Sequence, residues 1–191
     1  ESCKKISYLF PRAHAVAYVM MAFRIAWFKV YHPLAFYAAY FSIRAKAFDL
    51  RIMTGDLKTQ MTEFNRIKAL DRGASPKDKD LMSALEVSME MYQRGYRFVN
   101  VDIQHSEARR FSIKDGALLP PFLAIDSLGE TVADAIVAER EERPFTSLKD
   151  LQRRCKVSNT IIDLMKELKC CGELPEENKC HSLGHNKTQD K

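Results

Sequence analysis

Nothing in this sequence supplies a covalent or metallic staple. The five cysteines among 191 residues are an odd number in no paired framework, which excludes a disulfide scaffold and suits a reducing, cytoplasmic setting. Cys170 and Cys171 are adjacent and lack the two-residue gap of a zinc knuckle. With Cys180, His181 and His185 in a polar stretch, they read as reduced thiols and ordinary histidines, not as a structural zinc site. A signal-peptide pattern is missing, and so is an initiating methionine. The chain begins at Glu1 and reads as a piece of a longer polypeptide. Long uninterrupted apolar runs are also missing. In the most apolar stretch, Arg12, His14, Arg24 and Lys29 leave about a dozen residues between charges, against the roughly 20 of a membrane span. Arg24 would sit near the bilayer centre at a cost of some kcal/mol, so no membrane association is expected.

What remains is an ordinary folded composition, 46% hydrophobic and 29% charged, with a net charge of +5 that permits a polyanionic partner. From Phe10 to Pro33 the chain reads as one long helix. Pro11 suits a first turn, His32-Pro33 closes it, and no glycine or proline interrupts. His14, Tyr18, Met21, Ile25 and Phe28 share one face, and Val16, Val19, Phe23, Trp27 and Val30 another. A helix apolar on most sides must be covered, and a core position is expected.

A second helix is expected from Leu34 to about Phe48, then an amphipathic one from Leu57 to Arg72 with Gly73 as its C′ residue. Ser75-Pro76 should cap a fourth that runs to Gly95. Thereafter the period changes. Arg97 to Ile103 alternates as a strand, and Lys114-Asp115-Gly116 marks a hairpin turn closed off by Pro120-Pro121. The fold class is therefore mainly α with a small β section (α+β). Residues 1–95 form a helical unit, 96–175 a mixed unit, and 176–191 a flexible polar tail.

In Phe122 to Arg140 a short apolar segment leads through Ser127-Leu128-Gly129 into a helix from Thr131, the layout of a helix-hairpin-helix element. Backbone N–H groups at such a turn can hold a DNA phosphate without reading a base. An ordinary helical hairpin would look the same. Ser147 should cap the next helix with Asp150 three residues on, as in a capping box. Ser158 or Asn159 should cap the one after. Lys149, Arg153, Arg154 and Lys156 make this region basic. The duplex-binding candidates are Ser127, Leu128, Gly129, Thr131, Lys156 and Ser158.

Phe10-Pro11-Arg12-Ala13-His14-Ala15-Val16-Ala17-Tyr18 and Phe28-Lys29-Val30-Tyr31-His32-Pro33 resemble the fingers segment of C-family bacterial replicative polymerases. Gly73-Ala74-Ser75-Pro76-Lys77, Arg94-Gly95-Tyr96, Leu119-Pro120-Pro121-Phe122 and Phe145 to Leu151 narrow the likeness to PolC-type alpha subunits of DNA polymerase III. It extends over roughly residues 1–175 in order. The resemblance implies a helical fingers subdomain followed by a duplex-binding domain with helix-hairpin-helix elements, taking part in template-directed DNA synthesis. It further implies primer–template DNA and an incoming dNTP as ligands, with the palm and thumb of the same polypeptide as partners. Mg²⁺ would be held by palm aspartates upstream, not by this chain, and the chain alone should not polymerise.

Lys4, Lys5 and Arg12 are then candidates for phosphate contacts, and His14 and Tyr18 for the nascent base pair or nucleotide. Catalytic and metal residues are not assigned. Arg24 reads equally as a structural partner of a buried carboxylate. The family's hairpin usually reads Pro-Gly-Leu-Gly, but here Asp126-Ser127-Leu128-Gly129 stands in its place. Ser127 lacks glycine's freedom to take positive φ, and Asp126 adds negative charge. Weak DNA holding and a purely structural role both stay open. Lys179 to Gly184 replaces the family's sliding-clamp peptide without its phenylalanine, so clamp binding through the tail is not expected. A non-catalytic helix-hairpin-helix DNA-binding module is the alternative reading.

Overall fold

The computed structural model describes residues 12–177. Lys4, Lys5, the tail peptide and the residues Cys180, His181 and His185 lie outside that range. Eight α-helices and one two-stranded sheet are present among the described residues: α1 (Arg12–Tyr31), α2 (Pro33–Ala39), α3 (Leu50–Met53), α4 (Leu57–Ala69), α5 (Pro76–Gln93), β1 (Ser112–Lys114), β2 (Ala117–Leu119), α6 (Glu130–Glu142), α7 (Leu148–Cys155) and α8 (Asn159–Glu167). The fold is mainly helical with a small antiparallel hairpin.

Helix α1 forms where the sequence places it, and His32-Pro33 ends it. Its burial is a correction. No residue of α1 is buried, and Phe23 is 71% exposed. The expected apolar faces are there, but no other described element covers them. Among the described residues, its C-terminal end carries the ties to the rest of the fold. Lys29 donates to Glu90 of α5 at 2.6 Å, and Arg94 donates to the Lys29 carbonyl at 2.9 Å and to the Tyr37 hydroxyl at 3.1 Å. Arg24 meets no buried carboxylate. It is exposed and reaches the Met21 sulfur at 3.9 Å. By length and composition α1 is also apolar enough to cross a membrane.

The second helix is shorter than expected. After α2 the chain widens into a π-turn, Tyr40–Arg44, and leaves helical geometry at Ala45. That exit lets Phe41 and Phe48 both turn inward, where with Phe98 and Phe111 they form a cluster of edge-packed rings 4.9–6.2 Å apart. Helix α4 ends at Leu70, and the left-handed residue that follows is Asp71 (φ +44°), not Gly73. Asp tolerates that region through local hydrogen bonding. Helix α5 carries the expected cap as a full capping box: the Ser75 hydroxyl accepts from the Asp78 N–H at 3.1 Å and the Asp78 carboxylate accepts from the Ser75 N–H at 3.1 Å. At its other end Gly95 (φ +86°) closes a Schellman turn, with Tyr96 N–H donating to the Met91 carbonyl at 3.1 Å.

Asp115 and Gly116 both take positive φ, +51° and +74°, as a two-residue hairpin between β1 and β2 requires. The expected strand over 97–103 is reduced to one bridge, Phe98 to Leu118. Asp102 draws the rest into a turn, accepting from the Gln104 N–H, Lys114 and His105 at 2.7–2.9 Å.

Two apolar clusters hold the chain. One gathers Tyr37, Met53, Ile67, Leu85 and Met91 with Phe98, Phe111 and Leu118 of the β section. The other gathers Phe122, Ile125, Leu128, Ile136, Leu151, Val157, Ile162 and Met165, and Leu50 from the helical half reaches into it. The clusters thus interleave between residues 95 and 118.

Candidate nucleic-acid interface

Helix α7 starts at Ser147, whose hydroxyl accepts from the Asp150 N–H at 3.1 Å. The expected capping box is half made. The Asp150 carboxylate reaches one residue further, to the Thr146 N–H and hydroxyl at 3.3 Å each. Burial would raise the Asp150 pKa, but the Thr146 N–H, Arg153, Arg143 and Arg154 outweigh it and hold the carboxyl below the usual range. The helix ends at Lys156 in left-handed geometry (φ 53°, ψ 37°). Val157 turns into the core at 3% exposure. Ser158 then caps α8, its hydroxyl accepting from the Ile161 N–H at 3.3 Å. The first N–H groups of α8, at Asn159 and Thr160, lie ahead of any intrahelical partner. This is a compact helix–turn–helix with an anion-friendly end.

The turn at 127–129 has the same plan. Ser127 is left-handed (φ +64°), Leu128 is buried, and Gly129 (φ −75°) is the N-cap of α6. Ser127 therefore adopts the conformation that glycine would take more cheaply, and Gly129 does not need positive φ. Leu128 contributes its side chain to the core, and its N–H is already used by the Ile125 carbonyl at 3.2 Å. Thr131 is exposed on the first turn of α6. Ahead of this turn stands only a short 3₁₀ segment, Phe122–Ala124, where the second turn follows a true helix.

The two turns differ in charge. Asp126 and Glu130 flank the first, and Arg109 is held there by Glu130 at 2.6 Å and Asp134 at 2.5 Å. The carboxylates offset the positive end of α6. At the second turn, Lys156 is exposed and forms no ion pair among the described residues. The rest of the basic stretch is committed elsewhere. Lys149 pairs with Glu177, Arg153 with Asp150 at 3.2 Å, and Arg154 is buried against Glu139 at 2.8 Å. The sequence marks both turns, Leu-Gly at the first and Lys156 with Ser158 in the hairpin-like unit that follows, but not the left-handed backbone that the two share. The shared signal is an apolar residue immediately before an N-cap, preceded by a residue that must go left-handed, and a lysine conceals that last role.

The α1 candidates form a separate group, near the first residues of that helix. His14 and Tyr18 sit one turn apart with ring centroids 4.4 Å apart in edge contact, and both are exposed, as is Arg12. Among the described residues no group of three or more His, Cys, Asp or Glu is placed to hold a metal ion. Cys155, Cys170 and Cys171 are free and buried.

Comparison with known proteins agrees with this geometry. A family model described as a helix-hairpin-helix motif matches residues 95–181. The protein called DNA polymerase III PolC-type in Caldanaerobacter subterraneus subsp. tengcongensis is 48% identical over 179 residues, covering 94% of this chain and 13% of the relative. The Streptococcus suis protein of that name is 48% identical over 182 residues, and a Streptococcus pyogenes one 46%, each covering 94% of this chain and 12% of the relative. The chain spans about an eighth of the length of these relatives. It is a homologue, over 94% of its own length, of one segment of the PolC-type DNA polymerase III family.

Proposed function

We propose that this chain is the fingers and duplex-binding portion of a cytoplasmic bacterial replicative DNA polymerase. Residues 1–95 serve as the fingers, 96–175 as the duplex-binding unit and 176–191 as a tail. Polymerisation with Mg²⁺ belongs to a palm elsewhere in the full-length enzyme. The observation that supports duplex binding best is the repeated turn, left-handed residue, buried apolar residue and N-cap, at 127–129 and 156–158 within the stretch matched by the helix-hairpin-helix model. A helix N-terminus offers backbone donors to a phosphate and carries no base information. The second turn, with Lys156, is the stronger holder, and the acidic first turn contributes less.

Helix α1 fits the fingers role as an arm. Its exposed apolar faces call for cover, which the palm and thumb of the same polypeptide supply, leaving Arg12, His14 and Tyr18 toward template and dNTP. A membrane is the poorer cover. Arg24 would stand near mid-bilayer at about 2.5–3.5 kcal/mol, and Lys29 is committed to Glu90 at 2.6 Å.

The test is titration of a labelled primer–template duplex with the 191-residue chain across a salt series. Sequence-independent binding that weakens with salt is expected, with the slope of log K against log salt reduced by about 0.9 in Lys156→Ala. Ser127→Asp should reduce affinity less. Absence of salt-dependent binding, or Lys156→Ala identical to wild type, would remove the duplex-binding assignment.

A further inference from the structure

Arg154 bridges the elements between the two turns. Its guanidinium donates from Nε to the Glu139 carboxylate at 2.8 Å, from Nη2 to the Glu139 carbonyl, and from Nη1 to the Arg143 carbonyl at 3.2 Å and to Asp150 at 3.5 Å. The same plane lies over the Phe145 ring at 4.8 Å. The side chain is 8% exposed, so little of this charge is open to a ligand. Glu139 belongs to α6, which the 127–129 turn opens, and Arg154 stands two residues before Lys156 at the end of α7. One side chain is thus bonded to the helix that carries the first turn and is itself part of the helix that delivers the second.

We propose that Arg154 is a positioning residue for DNA binding: it fixes the angle between α6 and α7 and so sets the spacing at which the two turns meet a duplex backbone. This rests on the duplex-binding reading given above. Glu139 lies about 14 Å along α6 from its first residue at 1.5 Å per residue. A rotation of about 10° at the Arg154 contact would then displace the 127–129 turn by about 2 Å, more than the few tenths of an ångström over which a hydrogen bond holds. A bidentate planar fork resists that rotation, whereas an ammonium group does not.

The experiment measures duplex affinity against salt for the whole chain as wild type, Lys156→Ala, Arg154→Gln, Arg154→Lys and the double variant Lys156→Ala/Arg154→Gln. Circular dichroism sets a temperature at which all are folded. Arg154→Gln should lower the salt slope by about 0.9, as Lys156→Ala does, and the double variant should lose nothing more. Arg154→Lys should not restore the slope, because charge without the fork does not hold the angle. If Arg154→Gln does not fold, Glu139→Met, which removes the carboxylate acceptor at similar volume, is expected to show the same loss. A folded Arg154→Gln with the wild-type slope, or full rescue by lysine, overturns the positioning role while leaving duplex binding in place. An unchanged Lys156→Ala overturns the duplex reading, and the positioning role falls with it.

Discussion

Ser127 and Lys156 occupy equivalent left-handed positions, φ +64° and +53°, and neither is a glycine. A side chain in that region costs roughly 1–2 kcal/mol, partly offset by the unfolded-state entropy that a glycine would add. Ser127→Gly should therefore stabilise the chain by about 0.5–1 kcal/mol, which for this size raises Tm by about 2–4 °C per kcal/mol. Lys156→Gly should give a similar rise. The two part company in binding, since only the second removes an exposed cation. Calorimetry paired with the salt titration separates backbone ease from phosphate holding. A fall in Tm for either variant would show that its side chain makes contacts worth more than the backbone relief.

At the scale of elements, α1 and α6 are opposites. Phe23 on α1 is 71% exposed, whereas Phe122, packed beneath α6, is 0% exposed. In the isolated chain Phe23→Ala should shift stability by no more than about 0.5 kcal/mol, and Phe122→Ala should cost about 3–5 kcal/mol. Urea midpoints measure both. A large loss for Phe23→Ala would mean that α1 is covered in solution. The sequence shows α1 as a helix because period, proline placement and alanine content are local properties. Its exposure is not legible, because periodicity marks a face that calls for cover without saying which residues supply it. Helix α5 was legible at both ends, since Ser75-Pro76 with Asp78 and Gly95 act within one turn of themselves. The 97–103 strand was misread because Asp102, recruited by Lys114 twelve residues away, bends the backbone where alternation alone would extend it. In the candidate site, Ser127 to Gly129 was found from its residues. Lys156 and Ser158 were found too, but the left-handed backbone at Lys156 was not, because lysine gives no local sign of positive φ.

Across the whole molecule, buried and half-buried ionisable groups set opposite limits on stability against pH. Asp150 and Asp102 are pulled upward by burial, yet their pKa values fall below the usual carboxylate range. Thr146 N–H and three arginines prevail at Asp150, and Lys114, Gln104 N–H and His105 prevail at Asp102. In the unfolded chain these carboxyls titrate near 3.9, so below that pH the unfolded state binds more protons and stability falls. Their contribution is complete above the unfolded pKa and is lost as pH drops through the folded values. The thiols act in the other direction. Burial pushes Cys155 and Cys171 up to about 11 and Cys170 up to about 12. An unfolded thiol ionises near 8.5, so from there upward the unfolded state gains and stability declines until the folded thiols titrate. The urea midpoint should therefore be flat from about pH 5 to 8, falling on both sides. Asp150→Asn should lower the plateau and flatten the acid limb, since the charge that the arginines surround is gone. Cys170→Ala should flatten the alkaline limb with a much smaller change at pH 7. A symmetric effect of either variant on both limbs would show that the limbs report general charge repulsion rather than these buried groups.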